Sequence, residues 1–413
     1  MVKKMILVGT VVVALLALQC SGEPTDPDNK ETRELTNAEK VLVQSGNSFG
    51  LKLFQEIVNQ EADSNIFISP LSVAMALGMT YNGARNETQQ AMQEVLELKG
   101  MTLPDVNESY RTLIDLLLNL DPKVKFQIAN SIWYRDGLPV YPDFIDLNRT
   151  YFDAEVTSLD FNDPAAVVTI NNWVDEKTNG KIDKIIDKIG PQMVMYLINA
   201  IYFKGDWTAK FDTANTRLDL FILSDGSPTN CQMMFQHGDF FYFRGDGFAA
   251  LDLPYGDGKY SMTIFLPDSV SGVDALIAQF SEVNWEVWFS SFQETELDVF
   301  LPKFELEYEL KLNDVLSALG MGIAFDEYAA DFSGIAPLTC GNLYISEVKH
   351  KTYVKVDEDG TEAAAVTSVG IAITGVLPQP QFRADHPFTF VIRENHSGTI
   401  LFIGKIVEPV WEG

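Results

Sequence analysis

Three segments of the chain have hydrophobic residues at helical spacing. An apolar residue at every third or fourth position lies on one face of a 3.6-residue period, and such a face predicts a half-buried helix. The residues with this pattern are Phe49, Leu53, Phe54 and Ile57, the segment 70–79, and Val315, Leu316 and Leu319 ahead of Gly320. We therefore expect a helix at each place, the last one ending before the glycine.

Strand-like runs occupy much of the remaining sequence. They are rich in β-branched and aromatic residues and are bounded by turn-forming residues. The clearest are QIANSIWY from 127, YSMTIFLP from 260, ELDVFLPKFEL from 296, LYISEVKHKTYVKV from 343 and FTFVIR from 388. Helices and strands do not alternate in a repeating βαβ rhythm, so the pattern predicts an α+β fold.

The N-terminal residues have the pattern of an export signal. Lys3 and Lys4 precede an apolar run that is too short for a permanent membrane helix. Cys20 follows, and its position resembles the lipid-modified cysteine of bacterial lipoproteins, although Gln19 stands where those proteins prefer a small residue. We expect a signal peptide over 1–19, with lipidation of Cys20. The alternative is a cleaved signal and a freely secreted protein.

A tether and one large domain follow the signal. Residues 20–36 are polar and acidic, which is typical of a flexible segment. From Asn37 onward there is no linker-like run, repeat or low-complexity block, and 46% apolar residues among 413 suffice for a large core. We expect one domain over 37–413, located outside the cytoplasm as a secreted or cell-envelope protein. Its membrane contact would be only a lipid on Cys20.

The net charge of the chain is −28, from 58 acidic and 30 basic residues. Nucleic acids and heparin-like polyanions bind surfaces with excess positive charge. We therefore expect no nucleic-acid partner and no polyanion partner.

The sequence contains few motifs that are typical of enzymes. The sequence lacks the H-E-x-x-H, C-x-x-C and phosphate-loop patterns, and its four histidines are scattered, so we expect neither a metal site nor a cofactor. Residues 46–50 match the G-x-S-x-G pattern around Ser48, but the preceding residues predict a helix instead of the strand that a nucleophile elbow requires. Cys231 and Cys340 could form at most one disulfide, and two buried free thiols are the favoured alternative. We expect no enzymatic activity.

A segment near the C-terminus combines two patterns. Alternation over 348–356 predicts a half-buried strand with His350 on its core side. An Asp-Gly pair at 359 is a strong hairpin signal, so a return strand is expected from Thr361. Residues 363–377 contain no charge and no proline, and an ordinary sheet strand is the simplest interpretation of such a run.

Several motifs resemble those of one protein family. The octapeptide GTEAAAVT at 360–367 closely resembles the reactive-loop hinge of inhibitory serpins. Further blocks resemble the same family in the same order, namely NIFISPLSVAMALGMTYNGA at 65–84, NAIYFKGDW at 199–207, LPYGDGKYSMTIFLPD at 253–268, LPKFELEYELKLNDVLSALGM at 301–321 and HPFTFVIRENHSGTILFIGKIVEP at 386–409. The resemblance covers nearly the whole expected domain.

This resemblance implies a fold and a mechanism. Serpins fold as three β-sheets with eight or nine helices, and their native state is metastable, with an exposed reactive-centre loop. A target serine protease cleaves the loop and is trapped as a covalent acyl-enzyme when the freed segment inserts into the central sheet. The chain is accordingly expected to be a monomeric suicide inhibitor. The alternative is a non-inhibitory serpin that acts as a binding or chaperone module.

The resemblance also assigns a hinge and a bait. The hinge residues are Gly360, Thr361, Glu362, Ala363, Ala364, Ala365, Val366 and Thr367. Counting from the hinge places the reactive bond at Thr374–Gly375, whereas counting back from Pro387 places it at Val376–Leu377. Every residue over 373–377 is small or aliphatic, which indicates an elastase-like or subtilisin-like target. Papain-like cysteine proteases are a further candidate class.

Two structural clusters are carried over in the same way. The first, called the shutter, lies under strands that part and consists of Ser69, Ser72, Asn199 and His350. The second, called the breach, lies at the entrance of the sheet and consists of an ion pair between Glu358 and Lys303 with Trp207 packed beside it. None of these residues is expected to be catalytic.

Overall fold

Nine α-helices lie in the part of the chain that the structure, a computed structural model, describes, which is residues 32–118, 120–337, 341–361 and 380–411. They are α1 (Asn37–Gln60), α2 (Pro70–Tyr81), α3 (Asn86–Val95), α4 (Leu103–Leu117), α5 (Pro142–Phe152), α6 (Ala165–Lys177), α7 (Val273–Ile277), α8 (Glu282–Phe289) and α9 (Asn313–Leu316). None of the described helices has both the length and the apolar character needed to cross a bilayer. From Leu35 onward the chain forms one compact unit.

Local sequence signals set the starts of the first two helices. The N–H of Glu39 donates to the Thr36 hydroxyl at 3.2 Å, and the Glu39 carboxylate accepts from the N–H of Thr36 at 2.7 Å, which completes a capping box before α1. Ser69 accepts from the N–H of Ser72 at 3.2 Å, and Pro70 opens α2. Both predicted helices are confirmed.

The third predicted helix is shorter than expected. Helix α9 ends at Leu316, and the chain continues as a wider turn over Ser317–Met321. Gly320 in this turn has a φ of +117°, which strains any residue with a side chain. The α-helix therefore gives way to the wider turn at Ser317, and the non-helical backbone lies at Gly320, the glycine before which the pattern placed the end.

The strands of the described residues form two hydrogen-bonded sheets. The larger sheet contains β1 (Ile66–Ile68), β5 (Arg217–Ile222), β6 (Pro228–Arg244), β7 (Phe248–Tyr255), β8 (Tyr260–Pro267), β9 (Gln293–Pro302), β13 (Gln381–Arg383), β14 (Phe388–Glu394) and β15 (Ile400–Ile406). The smaller sheet contains β2 (Val124–Arg135), β3 (Ala154–Leu159), β4 (Met195–Asp206), β10 (Phe304–Lys311), β11 (Lys349–Val356) and β12 (Gly360–Thr361).

The order of strands explains why two sheets are found where three were expected. The larger sheet runs β1-β15-β14-β8-β7-β6-β9-β13, and β5 pairs with β6 outside this path. Strand β6 pairs with β5 near its start, with β9 along most of its length and with β7 at its end. The long strand β6 therefore joins β5, β7 and β9 in one hydrogen-bonded sheet, and the described strands form two sheets instead of the three that the resemblance implied. The α+β class and the helix number are confirmed.

Two predicted strand runs have different boundaries in the structure. The run from 296 is two strands, β9 and β10, which belong to different sheets and are separated at Lys303. The run from 343 becomes a strand only at Lys349. Its neighbour β10 ends at Lys311, opposite Lys349, because α9 follows. Residues 343–348 therefore have no strand beside them on that side, and a strand needs a partner.

Helix α2 connects the two sheets through the core. It packs against β4 of the smaller sheet and β15 of the larger sheet, and α1 packs on both α2 and β15. Strand β8, in the middle of the larger sheet, is buried at every position. The smaller sheet runs β10-β11-β12-β4-β2-β3, so the two residues of β12 separate β11 from β4.

Candidate functional site

Strand β12 lies between β4 and β11 at one end of the smaller sheet. Gly360 pairs with Asp206 of β4. Thr361 pairs with Gly205 on one side and with Val356 on the other. A short turn joins β11 to β12, so the predicted hairpin is formed at its first residue pair.

Close packing surrounds both residues of β12. Gly360 has a φ of +154°, and a Cβ there would lie 2.1 Å from the carbonyl oxygen of Gly205, so only glycine fits. Thr361 is 4% exposed, and its hydroxyl lies 2.7 Å from that of Tyr255. The Tyr255 ring stacks on Trp207 with centroids 4.5 Å apart. The first two hinge residues are therefore fixed within the sheet.

Several predicted site residues lie outside the described residues. They are the remainder of the hinge, from Glu362 to Thr367, both candidate reactive bonds at 374–377, and Cys20 with the expected signal peptide. What the structure gives is the start of the hinge and the sheet around it.

A cleft of about 760 Å³ lies between β4 and β11. Residues 193–201 line one wall and residues 343–352 line the other. Within these two ranges, both of which the structure describes, no β-ladder of backbone hydrogen bonds connects one wall to the other. A smaller cavity next to Thr361 shares the lining residues Ile201 and Phe402 with the cleft and extends it to β12. We call the cleft and this adjoining cavity together the slot.

The four shutter residues lie together along the slot. The N–H of Ser69 donates to Nε2 of His350 at 3.0 Å, and its hydroxyl donates to the carbonyl oxygen of Leu401 at 2.7 Å. The Ser72 hydroxyl donates to the carbonyl oxygen of Asn199 at 3.4 Å. The structure thus brings α2, β4, β11 and β15 together at one point.

A further polar residue extends the shutter. Asn199 donates through Nδ2 to Oδ1 of Asn130 at 2.8 Å, and Asn130 donates to the carbonyl oxygen of Phe152 at 2.6 Å. Sequence reasoning missed Asn130. The available signal was an amide on the face of β2 that is otherwise apolar, where Ile128 and Ile132 also lie.

Burial controls the charge of His350. Its side chain is 5% exposed, and loss of water lowers its pKa to about 4. Because Nε2 accepts the N–H of Ser69, the ring must be neutral, with its proton on Nδ1. A buried, hydrogen-bonded cluster of this kind is costly to leave half satisfied, so it favours one arrangement of the strands.

The breach residues meet beside β12. Nζ of Lys303 lies 2.7 Å from Oε2 of Glu358. The Trp207 indole donates to the carbonyl oxygen of Asp357 at 2.9 Å, and the Trp207 N–H donates to that of Asp359 at 2.8 Å. The turn over 357–359 is therefore held by both a side-chain ion pair and the tryptophan.

Glu358 remains ionised although it is mostly buried. Burial raises its pKa, but hydrogen bonds from Lys303 and from Thr216, at 2.6 Å, outweigh burial and hold the pKa below its usual range. Lys210 adds an ion pair to Asp359 at 3.0 Å. Thr216 and Lys210 were not identified from the sequence, where no local pattern distinguishes them.

The structure describes two of the residues that were considered for other chemistry, Ser48 and Cys231. Ser48 lies in the interior of α1, so the strand-turn-helix geometry of a nucleophile elbow is not formed around it. Cys231 is buried and unbonded, and burial raises the pKa of its thiol to about 11. Cys340 lies outside the described residues. Among the residues described, no cluster of His, Cys, Asp and Glu has metal-binding geometry.

Comparison with known proteins gives consistent matches. The family model described as Serpin (serine protease inhibitor) matches residues 44–409. Serpin B11 of Homo sapiens is 34% identical over 384 residues, which cover 87% of this chain and 97% of the relative. Leukocyte elastase inhibitor of Xenopus tropicalis is also 34% identical, with coverage of 87% and 97%.

A solved structure agrees with the sequence relatives. The thermophilic serpin tengpin in its native state superposes with a TM-score of 0.81 at 34% identity, covering 92% of this chain and 96% of tengpin. The hinge within the sheet, the slot and the two polar clusters occur in a chain that matches the family model over most of its length. This chain belongs to the serpin family.

Proposed function

We propose that this protein is a suicide inhibitor of serine proteases that traps its target by inserting its reactive loop into the slot. The observation that carries the proposal is the position of β12, which seats Gly360 and Thr361 between β4 and β11 at the head of the slot. The segment that follows Thr361 therefore begins at the entrance of a cleft that lies, like β12, between β4 and β11.

A strand inserted into the slot would form backbone hydrogen bonds with both of its walls. Below β12, the facing edges of 195–201 and 349–352 lack a ladder between them within the described residues. An inserted segment would pair its N–H and C=O groups with both edges, and this gain would drive insertion. The small side chains at 363–365 suit passage between walls that must part.

The chemistry of trapping uses the protease's own reaction. The protease serine attacks the carbonyl carbon of the bait residue, the peptide C–N bond breaks, and the new amine leaves with the C-terminal fragment. An ester then joins the bait to the protease. Inhibition succeeds when insertion displaces the protease before water hydrolyses this ester, and a metastable native state provides the driving force.

The bait favours proteases with an apolar specificity pocket. Residues 373–377 are ITGVL, without the Arg or Lys that an acidic pocket would bind. One relative is named as an inhibitor of leukocyte elastase. We therefore propose elastase-like or subtilisin-like enzymes as targets, with papain-like cysteine proteases as a second class. The inhibitor acts as a monomer without a cofactor.

Pancreatic elastase tests this proposal directly. The wild-type chain should form a complex that resists SDS, and mass spectrometry of the released C-terminal peptide should distinguish cleavage after Thr374 from cleavage after Val376. Thr361→Arg places a long charged side chain at a position that is 4% exposed, so it should convert the inhibitor into a substrate. Thr361→Ser, which keeps the hydroxyl, is the matched control and should still form the complex.

The outcomes separate inhibition from its alternatives. Clean cleavage of the wild type without a complex would favour a non-inhibitory binding module. Full-yield complexes with Thr361→Arg would contradict the assignment of the hinge. Ester turnover that Ser48→Ala abolishes would favour an enzyme.

We also propose that the protein is exported and anchored through a lipid on Cys20. The basic and apolar residues ahead of Cys20 and the acidic segment after it support this proposal. The wild type should sediment with membranes and partition into detergent, whereas Cys20→Ser should be released. Equal release of both proteins would favour free secretion.

A further inference from the structure

The final described residues, 407–411, lie against the start of β10. Asn65 donates through Nδ2 to the carbonyl oxygen of Glu408 at 2.7 Å. The N–H of Glu305 donates to the carbonyl oxygen of Val410, also at 2.7 Å. These two bonds fix the position of Trp411.

The indole ring of Trp411 lies near two lysine ammonium groups. Nζ of Lys303 is 4.0 Å from the ring centroid, and Nζ of Lys355 is 4.6 Å from it. Both distances are within the range at which the negative face of an aromatic ring attracts a cation. One ring therefore stabilises two like charges. Each ammonium group also has a carboxylate partner, Glu358 for Lys303 at 2.7 Å and Glu305 for Lys355 at 3.5 Å.

Lys303 depends on this contact because its side chain is only 15% exposed. A mostly buried ammonium group must replace the water that it has lost. The Glu358 carboxylate, at 2.7 Å, supplies one replacement. The Trp411 ring supplies the other.

The ion pair of Lys303 lies immediately before the hinge. Glu358 belongs to the turn over 357–359, which ends where Gly360 enters the slot. We infer that Trp411 is a positioning residue that holds Lys303 against Glu358 and thereby restrains the breach and the entry of the loop into the slot. This inference rests on the proposed function. Without the ring, Lys303 is held by Glu358 alone, the turn loosens, and β4 and β11 part more easily.

Loss of inhibition on warming tests the inference. The chain is held at a mildly elevated temperature, and the remaining inhibition of elastase is followed with time. Trp411→Ala should lose inhibition about tenfold faster than the wild type, as expected for loss of a cation–π contact. Trp411→Phe keeps a ring and should restore the wild-type rate within about threefold. In fresh protein the rate at which elastase cleaves the loop should be unchanged, because the bait is unchanged.

Two further variants isolate the contact. Val410→Ala is the matched control, because Val410 is 45% exposed and its backbone bond remains. It should behave as wild type. In a Lys303→Met background, Trp411→Ala should add no further acceleration. Equal rates for Trp411→Ala and Val410→Ala, or full acceleration in the Lys303→Met background, would overturn the inference.

Failure of the proposed function would give a different result. If the wild type forms no complex with any protease, the contact is measured by urea unfolding instead. Effects of Trp411→Ala and Lys303→Met that are less than additive would support the restraint of the breach. Additive effects would overturn it.

Discussion

The backbone N–H of Ser69 donates a hydrogen bond of 3.0 Å to Nε2 of His350, and this bond joins α2 to β11 beside the slot. The pKa of His350 is lowered from 6.5 to about 4 by burial, so the unfolded chain binds more protons than the folded chain between these values. The neutral His350 ring therefore contributes its full stability above the pKa of the unfolded chain. This contribution is lost as pH falls through the pKa of the folded chain. The expected loss is roughly 3 kcal/mol.

Urea unfolding of wild type and His350→Gln at several pH values between about 4 and 7 checks this prediction. The Gln side chain can accept the N–H of Ser69 but does not titrate. We expect the variant to be less stable than wild type near neutral pH and to show a smaller loss on acidification. The same pH slope in both proteins would contradict the role of His350.

His386 should have the opposite pH dependence. Its Nδ1 lies 2.9 Å from Oδ1 of Asp385, and its Nε2 lies 2.6 Å from the carbonyl oxygen of Pro267. Burial lowers the pKa of His386, but these two acceptors outweigh burial and raise the pKa above 6.5. Stability from the protonated ring is thus present below 6.5 and is lost as pH rises through the raised value.

The measurement for His386 is the difference in free energy of unfolding between wild type and His386→Gln. This difference should shrink as pH rises above 6.5. His350→Gln serves as the control, because its difference from wild type should change in the opposite direction on acidification. A His386→Gln difference that is independent of pH would show that the ring is not charged in the folded state.

The hydroxyl groups of Tyr255 and Thr361 should be energetically coupled, because they lie 2.7 Å apart and both are buried. Tyr255→Phe and Thr361→Val should each lower the free energy of unfolding by about 1 kcal/mol, since each leaves the other hydroxyl unsatisfied. The double variant should lose about as much as either single variant. Additive losses would mean that the hydroxyl groups do not interact.

Patterns of alternating polarity predicted those parts of the fold in which burial alone decides the structure. Alternation over 348–356 placed His350 on the core side, and the structure buries it there. The content of β-branched and aromatic residues predicted a strand from 343, which the structure begins at Lys349. Polarity indicates which face is buried, but it does not indicate whether a neighbouring strand is present to accept hydrogen bonds.

The polar contacts of the site were less predictable, because they join residues that are distant in sequence. Lys303 and Glu358 were assigned through family resemblance, and the structure pairs them at 2.7 Å. Thr216 and Trp411, which contact the same ion pair, have no motif that marks them. A side chain in a loop or a tail acquires such a role only through the folded chain that brings its partner close.

Substitution of two glycines provides a final test of the hinge. At Gly360, a Cβ would lie 2.1 Å from the carbonyl oxygen of Gly205, and the backbone φ is +154°. Gly360→Ala should therefore expel β12 and lower the free energy of unfolding by roughly 2 kcal/mol or more. Because insertion must start from this position, a larger share of the protein should be cleaved by elastase without trapping it.

Gly46→Ala is the matched control for this substitution. Gly46 lies inside α1, and a Cβ there would meet no atom within 4 Å. Alanine restricts the unfolded chain and favours the helix, so the free energy of unfolding should rise by about 0.5 to 1 kcal/mol. The share of elastase that is trapped should stay at the wild-type level. If Gly360→Ala lowers the free energy of unfolding and Gly46→Ala raises it, the effect of Gly360→Ala lies in the backbone of β12. If Gly46→Ala also loses trapping, the metastable fold is sensitive to substitution in general and the hinge is not specifically involved.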